Sequence, residues 1–255
     1  MNPIRRLGRW ALSGIAKMGR ACLFLGRTAL SCFRPPLRLP VLFQHIEFIG
    51  NRSFGIVLLT SIFTGMVLVL QGYNALVDFG STAQLGPLVS LSLLRELGPV
   101  LCALMITARA GSAIAATVAG MRVTEQIDAL EALAIDPVQY LASTRLTAAV
   151  IAVPLMTTLF NVSGIVAAYL YARNVLGVDP GTFMAAIRDA VEEKDIIISL
   201  SKALVFGVFI AWIACYNGFY AARGAQGIGQ ATTGAVVQTA VLILAADYVL
   251  TAFFL

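Results

Sequence analysis

Residues 120–140, GMRVTEQIDALEALAIDPVQY, form a polar island in a chain that is otherwise mostly apolar. The charged residues of this island are Arg122, Glu125, Asp128, Glu131 and Asp136. Its apolar residues recur at helical spacing, at Ile127, Leu130, Leu133 and Ala134. The pattern predicts a short amphipathic helix that Thr124 caps and that ends before Pro137. Such a helix is either a solvated connector or a docking surface for a partner protein, and composition does not choose between the two.

The rest of the chain has the composition of a membrane protein. Hydrophobic residues make up 59% of the 255 residues and charged residues 12%, and the mean hydropathy is +0.86. Ordinary soluble domains are only about 45–50% apolar. Several runs here approach or exceed the roughly 20 apolar residues that span a bilayer as a helix. We therefore expect an all-α integral membrane protein with no large soluble domain.

The N-terminal region combines cations with an apolar periodicity. Residues 3–34 carry seven of them: Arg5, Arg6, Arg9, Lys17, Arg20, Arg27 and Arg34. Apolar residues lie between them at i, i+3 and i+4, which predicts a helix in the membrane interface with Trp10 at its boundary. The alternative is a disordered basic tail. PPLRLP at 35–40 breaks the helix, so we divide the chain into an interfacial helix with its connector (1–40) and a membrane domain (41–255).

Five apolar runs predict five membrane spans. Their expected bounds are 54–78, 85–119, 141–172, 196–222 and 234–255. The second run is too long for one simple crossing, so we expect it to begin with an interfacial or re-entrant piece. Small or weakly polar residues interrupt the first run and would let helices approach closely: Thr60, Ser61, Thr64, Gly65 and Gly72. The polar helix, at about 121–136, then lies between the second and third spans.

The distribution of cations predicts the orientation. Two expected spans separate the N-terminus from the 120–140 island, so both lie on one side, and an odd number of spans puts the C-terminus on the other. The first side holds 12 of the 18 Lys and Arg residues, Arg145 and Arg223 among them. The positive-inside rule places that side in the cytoplasm and the C-terminus outside.

Charges inside apolar spans are costly and each is a hypothesis of function. Here they are Arg95, Glu96, Arg109, Lys202 and Asp247. Arg109 and Asp247 each lie about 20 Å from the same end of their spans, which predicts a mainly structural ion pair. Glu96 and Lys202 share a level in the other half and could meet near the mouth of a cavity. That second pair would either fix the helix register or take part in substrate passage.

The sequence has none of the common catalytic motifs. His45 is the only histidine, and there is no HExxH, no GxSxG and no cluster of metal ligands. The phosphate-binding pattern GxxxxGK[ST] is also missing. We expect no catalytic residue, metal or cofactor in this chain, and any work driven by ATP must come from a partner.

One long run identifies a family. RELGPVLCALMITARAGSAIAATVAGMRVTEQIDALEALAIDP, residues 95–137, resembles the signature of MlaE-type permeases. These are membrane subunits of bacterial ABC transporters that move phospholipids between the inner and outer membranes and maintain outer-membrane lipid asymmetry. QGY at 71–73, NGFYAARGAQGIGQATTGAVV at 217–237 and DYVLTAFF at 247–254 are similar to other parts of the family pattern. The resemblance covers about residues 40–255.

The resemblance implies partners and a mechanism. Family members are homodimers of five-span permeases in the bacterial inner membrane, each with an interfacial helix, and they sit on two cytosolic ATPase subunits that bind ATP and Mg. A periplasmic ring of MCE-domain proteins covers the outer face, and a small STAS-domain protein often binds the ATPase. The 125–131 segment resembles the coupling helix that docks on the ATPase. Its expected docking residues are Glu125, Gln126, Ile127, Asp128, Leu130 and Glu131.

By the same resemblance, phospholipid occupies a cavity at the dimer interface, opening outward. The expected acyl-chain contacts are Leu68, Leu76, Phe79 and Leu97, with Arg95 as the cation for the headgroup phosphate. The sequence fits transport in either direction and gives no reason to expect nucleic acid as a partner. Three alternatives stay open: a permease for a sterol or another hydrophobic substrate in a related MCE system, an ion-coupled secondary transporter, and a membrane scaffold for the MCE protein. Against the secondary transporter, the intramembrane charges can all be paired and no inverted repeat is evident.

Overall fold

The computed structural model describes residues 3–32, 39–78 and 80–254, except for the side chains of 3–11, 13–15 and 17. Within these ranges the chain is helical and has no strand. Five helices are long and apolar enough to cross a membrane, which confirms the predicted number. They are the first to fifth spans: Leu39–Val77, Thr82–Val123, Val138–Asn174, Glu193–Phe219 and Ala225–Phe254.

Three further helices lie outside the spans. The N-terminal helix runs over Pro3–Cys32, a short helix over Gln126–Ala132 joins the second and third spans, and another over Pro180–Ala190 joins the third and fourth. The start of the first span, the 126–132 helix and the 220–224 link share one end of the bundle, called here the N-terminal end. The 180–190 helix and the end of the fifth span lie at the C-terminal end.

Several spans are subdivided. The first consists of Leu39–Ile49, a 3-10 turn at Asn51–Ser53 and Phe54–Val77. The third begins with a π-helical segment, Val138–Ser143, and continues as Thr144–Asn174. The second contains a 3-10 turn, three α-helical pieces and two π-helical pieces: Thr82–Gln84, Leu85–Ser92, Leu93–Leu97, Gly98–Ile106, Thr107–Gly111 and Ser112–Val123. No re-entrant turn occurs in it, because the two π-helical segments widen the helix locally without reversing it.

The spans start earlier than the hydropathy predicted. The first is helical from Leu39, 15 residues before the expected start, and the fifth from Ala225. Hydropathy marks where a helix meets lipid, whereas hydrogen bonding carries the helix beyond that segment. Arg145, interpreted above as a cation of the N-terminal side although it falls within the expected 141–172 run, lies within the third span. It is only 6% exposed and donates to the Leu141 carbonyl at 2.6 Å.

The first span approaches a neighbour along its small residues, as the sequence predicted, and that neighbour is the third span. A Cβ atom on Gly65 would lie 2.1 Å from the Gly164 carbonyl oxygen, so the two backbones are in direct contact. Ser61 Oγ donates to the Phe160 carbonyl at 2.5 Å. The hydroxyls of Thr60 and Thr64 instead donate to carbonyls of their own helix. Close approach therefore depends on Ser61 and Gly65.

The N-terminal helix is attached to the bundle along one face. Among its described side chains, those of Phe24, Thr28 and Ser31 are buried, at the spacing of one helical stripe. The Phe24 ring packs against three aromatic rings of the fourth span and the residue after it: Tyr216, Phe219 and Tyr220. Trp212 Nε1 donates to the Ala21 carbonyl at 2.8 Å. The side chain of Trp10 and most of the 35–40 connector lie outside the described residues.

The 180–190 helix has a side-chain cap. Asp179 precedes it in an extended conformation, and its carboxylate accepts from Thr182 N at 2.7 Å and from Thr182 Oγ1 at 2.8 Å. The hydrogen bond from the Thr182 backbone N–H makes the larger contribution and that from the Thr182 hydroxyl the smaller one. Both lower the pKa of Asp179 below its ordinary value, because both stabilise the charged form.

Candidate functional site

Lys202, on the fourth span, is the centre of a charged cluster near the C-terminal end of the bundle. Its side chain is fully buried, and its Nζ atom lies 2.8 Å from Glu96 Oε2 and 2.8 Å from Asp247 Oδ1. The ammonium also donates to the Arg95 carbonyl oxygen and to Thr251 Oγ1, both at 2.7 Å. The expected contact between Glu96 and Lys202 is present, and one lysine joins the second, fourth and fifth spans.

The sequence explains why the Arg95 carbonyl is available to accept from Lys202. Pro99 has no backbone N–H, so the carbonyl four residues before it lacks an α-helical donor. The second span is π-helical at this point, over Leu93–Leu97, and the Gly98 N–H bonds to the Leu93 carbonyl. The ammonium of Lys202 takes the place of the missing amide, which satisfies a polar group that would otherwise be unpaired in an apolar setting.

Arg95 forms a second ion pair beside the cluster. Its Nε lies 2.7 Å from Asp195 Oδ1, and the Asp195 side chain is only 1% exposed. Asp195 Oδ2 also accepts from the Glu192 N–H at 3.1 Å, which caps the start of the fourth span. The Arg95 side chain keeps 41% of its surface exposed. Its remaining guanidinium N–H groups are therefore free to bind an anion.

A cleft of about 300 Å³ opens over these charges. Its lining combines charged and apolar side chains from the second, fourth and fifth spans: Leu91, Ser92, Arg95, Glu96, Lys194, Asp195, Ile198, Thr251 and Phe254. Cations and carboxylates lie side by side on an apolar wall. This arrangement suits an amphipathic ligand with a polar head and an apolar tail.

The three leucines among the expected acyl-chain contacts do not line this cleft. Leu68, Leu76 and Leu97 are half-buried and pack against the core of the same chain, and Phe79 lies outside the described residues. Among the predicted substrate contacts that the structure describes, Arg95 alone reaches the cleft. A cavity formed between two copies would take its other wall from the second chain, so the roles of the three leucines stay predictions.

The predicted pair between Arg109 and Asp247 is not formed. Asp247 pairs with Lys202. Arg109 Nη1 donates to the Phe48 carbonyl at 2.6 Å, and its guanidinium carbon lies 4.8 Å from the centroid of the Phe48 ring. The two residues lie at different depths: counted from the observed helix ends, Arg109 is about 21 Å and Asp247 about 33 Å from the N-terminal end of the bundle. The prediction was wrong because the fifth span begins at Ala225 and not at the expected residue 234.

The 126–132 helix is held by its ends and by one buried residue. Glu125 precedes it in a left-handed conformation with φ of 59°. Thr124 does not cap it: its Oγ1 donates back to the Gly120 carbonyl at 2.9 Å, at the end of the second span. Asp128 pairs with Arg122 at 2.5 Å. Ile127 is the one fully buried side chain of the helix and anchors it to the bundle.

The expected docking residues divide accordingly. Glu125, Gln126, Asp128 and Glu131 are exposed, Leu130 is half-buried, and Ile127 is unavailable to a partner in this conformation. Leu133, expected on the buried face, is 71% exposed because the helix ends at Ala132 and Ala134 turns the chain with φ of 57°. The N-terminal end therefore presents acidic side chains around an exposed leucine.

Sequence reasoning missed three residues of these two sites: Thr251 and Asp195 at the charged cleft, and the exposed Leu133 beside the 126–132 helix. Thr251 lies one helical turn after Asp247, so the i, i+4 spacing could have placed both on one face. Asp195 is separated from Arg95 by 100 residues and had no local signal. For Leu133, a helix end before Ala134 was not visible in the periodicity.

Comparisons with known proteins agree with this architecture. The family model described as "Permease MlaE" matches residues 42–253. The chain is 39% identical over 255 residues to the "Intermembrane phospholipid transport system permease protein MlaE" of Haemophilus influenzae, covering 99% of this chain and 97% of that protein. It is 39% identical over 254 residues to a "Probable ABC transporter permease protein" of Rickettsia felis, covering 100% and 98%. It is also 34% identical over 232 residues to "Protein TRIGALACTOSYLDIACYLGLYCEROL 1, chloroplastic" of Arabidopsis thaliana, covering 91% and 66%.

Proposed function

Because this chain belongs to the MlaE permease family, we propose that it is the membrane subunit of an ABC transporter that moves phospholipid between the inner and outer membranes. The observation that carries the proposal is the family match over all five spans. The relative from Haemophilus bears an intermembrane phospholipid transport name and aligns along nearly its full length.

The proposed assembly has two copies of this permease and two ATPase subunits. The N-terminal end of the bundle faces the cytoplasm, as the excess of Lys and Arg favours, and the ATPase binds the exposed acidic residues of the 126–132 helix. The opposite end faces the periplasm and an MCE-domain ring, and a STAS-domain protein is a further partner on the ATPase. This chain performs no covalent chemistry, and ATP and Mg are bound by the ATPase.

The charged cleft has a definite part in this mechanism. The headgroup phosphate binds the Arg95 N–H groups that Asp195 leaves free, and the apolar wall of Ile198 and Phe254 accepts acyl chain. The Lys202 cluster holds the second, fourth and fifth spans in register beside the cleft. Closure of the ATPases on nucleotide moves the 126–132 helices, narrows the cavity between the two copies and displaces the lipid.

The docking step can be tested by reversing charge without breaking the intramolecular pair. Glu131→Lys reverses an exposed carboxylate, and a double variant, Arg122→Asp with Asp128→Arg, retains an ion pair while inverting the charge offered to the partner. We expect both to reduce lipid-stimulated ATPase activity of the co-purified complex by about tenfold or more. Asp189→Lys, an exposed charge reversal at the opposite end, is the matched control and should leave the activity unchanged.

Native mass spectrometry of the complex, co-expressed with its genomic neighbours, supplies the second measurement. A two-to-two assembly with bound phospholipid supports the transporter. A folded permease that is isolated alone and without lipid contradicts it and favours a secondary transporter. Loss of lipid movement in a Glu131→Lys complex that still assembles excludes the scaffold.

A further inference from the structure

Two arginines converge on one aromatic ring at the N-terminal end of the bundle. The guanidinium carbon of Arg109 lies 4.8 Å from the centroid of the Phe48 ring, and that of Arg52 lies 5.5 Å from the same centroid. Arg52 belongs to the first span and Arg109 to the second. The two guanidinium carbons, one from each helix, therefore lie no more than about 10 Å apart, the sum of the two distances, with the Phe48 ring as their common neighbour.

Neither arginine has an acidic partner. Among the described residues, which include every Asp and Glu of the chain, no carboxylate oxygen lies within 4.0 Å of Arg52 or Arg109. A guanidinium carries five N–H donors, and in the described part of the chain the single hydrogen bond from this pair is that from Arg109 Nη1 to the Phe48 carbonyl. Arg95, Arg122 and Lys202 each have a carboxylate within 2.8 Å. The two arginines, called here the 52/109 pair, therefore have unused N–H donors and two positive charges that no carboxylate balances.

The pair lies at the edge of the hydrocarbon. Immediately after Arg52 and Ser53 comes Phe54–Val77, 24 residues without a charge, which extends about 36 Å as a helix and is enough to cross the roughly 30 Å of hydrocarbon in a bilayer. Arg52 is thus at the boundary of that segment on the N-terminal side. Arg109 reaches the same level because both side chains contact Phe48. Lipid phosphates are found at this depth.

This position is distinct from the cleft at Arg95. Arg95 and Arg109 are 14 residues apart on the second span, which separates them by about 21 Å along the helix axis. The segment between them, Gly98–Ile106, is apolar. The two sites therefore belong to opposite leaflets.

We infer that Arg52 and Arg109 together bind the phosphate of a phospholipid in the leaflet at the N-terminal end of the bundle. The guanidinium N–H groups donate to the phosphate oxygens, and each of the two side chains is held by cation–π contact with the Phe48 ring. The acyl chains extend along the uncharged part of the first span, where Phe54, Leu59 and Phe63 are exposed. The inference holds whether or not the bound lipid is the one transported.

The test is a lipid titration of the full-length protein in detergent, followed by native mass spectrometry. The probes are phosphatidylglycerol and diacylglycerol with the same acyl chains. Wild type should retain one phosphatidylglycerol per chain at this site. Arg52→Gln should bind phosphatidylglycerol there about tenfold more weakly, because one charge-assisted contact is lost. Arg188→Gln removes an exposed arginine at the opposite end and should bind as wild type does. Diacylglycerol, which lacks the phosphate, should not occupy the site in any variant.

The variants also separate this site from the others. The Arg52 side chain donates no hydrogen bond in the described structure, so Arg52→Gln should fold normally. Arg109→Gln removes the hydrogen bond to the Phe48 carbonyl and serves only as a second variant. Arg95→Gln should empty the cleft and leave the 52/109 lipid in place. Equal affinity of wild type, Arg52→Gln and Arg188→Gln for phosphatidylglycerol would overturn the inference. Displacement of the lipid by inorganic phosphate at equal concentration would also overturn it, because the site would then be one for free anions.

Discussion

At the scale of single residues, Lys202 is the ionised side chain with the most polar contacts inside the bundle. Its ammonium has three protons and lies within 2.8 Å of four oxygen acceptors on two other helices. Taking a lysine out of water is expensive, and the cost is recovered only with good geometry and additional hydrogen bonds. Glu96 and Asp247 in turn depend on it, because two carboxylates at one place repel each other unless a cation separates them.

Replacing this lysine should destabilise the protein strongly. In Lys202→Met, two carboxylates and the Arg95 carbonyl lose their common partner, which should cost about 3–5 kcal/mol and lower the midpoint of thermal unfolding by about 6–20 °C. The measurement is thermal unfolding in detergent, with Lys194→Met, an exposed lysine of the same cleft, as the control. Adding Glu96→Gln and Asp247→Asn to Lys202→Met should restore part of the loss. A Lys202→Met variant as stable as the control would contradict this account.

The sequence predicted the level and the partner of Glu96 and Lys202, but not those of Asp247, because the start of the fifth span was misplaced. Glu96 and Lys202 do meet, whereas Arg109 and Asp247, matched by the same argument, do not. Distance along a helix can be counted from the sequence, but the direction in which a side chain leaves the helix depends on packing. Pro99 is the one residue whose type indicates which face of the second span meets another span. It leaves the Arg95 carbonyl without a helical donor, so a donor has to come from a neighbouring span on that face.

At the scale of elements, contact between the first and third spans depends on the lack of side chains. Gly65 lies against the Gly164 carbonyl, and Ser61 adds a hydrogen bond across the same seam. Within a membrane, such close packing replaces the hydrophobic driving force that joins helices in water. The sequence predicted that the first span would approach a neighbour closely, because small residues stand out within it, but it did not identify the third span as that neighbour.

A single methyl group should disturb that seam. Gly65→Ala would place Cβ 2.1 Å from a backbone oxygen that cannot rotate away, and overpacking of this kind costs about 1–3 kcal/mol. We expect a fall of several degrees in the thermal unfolding midpoint. Gly55→Ala is on the same helix with no neighbour within 4 Å, and the helix propensity of alanine should leave that variant unchanged or slightly more stable. Equal midpoints for the two variants would show that the spans are not in backbone contact.

The ends of elements were harder to predict than their existence. The 126–132 helix was expected from its periodicity, but its start is set by the left-handed Glu125 and not by a Thr124 cap. Few residues other than glycine adopt that conformation, so propensity gives no warning of it. Leu133 became exposed for the same reason, at the turn made by Ala134.

At the scale of the whole molecule, the two ends of the bundle differ in chemistry. The N-terminal end carries the basic N-terminal helix, the acidic 126–132 helix and the 52/109 arginine pair. The C-terminal end carries the Lys202 cluster, the charged cleft and the capped 180–190 helix. The number of spans and the asymmetry of charge could both be read from composition, because they depend on sums over many residues and not on any one contact.

Orientation can be measured with engineered cysteines. In a background with Cys22, Cys32, Cys102 and Cys215 replaced, Arg188→Cys reports on the C-terminal end and Arg223→Cys on the N-terminal end, and both positions are exposed. We expect a membrane-impermeant maleimide to label Arg188→Cys in intact spheroplasts and Arg223→Cys only after permeabilisation, since the positive-inside rule places Arg223 in the cytoplasm. The reverse pattern would invert the topology and with it the proposed position of the ATPase.

The Lys202 cluster also sets an order of events during biosynthesis. Glu96 is synthesised 106 residues before Lys202, and at about 5–20 residues per second the ribosome needs roughly 5 to 20 seconds to make the intervening chain. Throughout that interval the carboxyl of the second span has no lysine to join, and an unpaired charge in apolar surroundings is costly. The second span can therefore take its final place only when the fourth has been delivered, and the fifth completes the junction last.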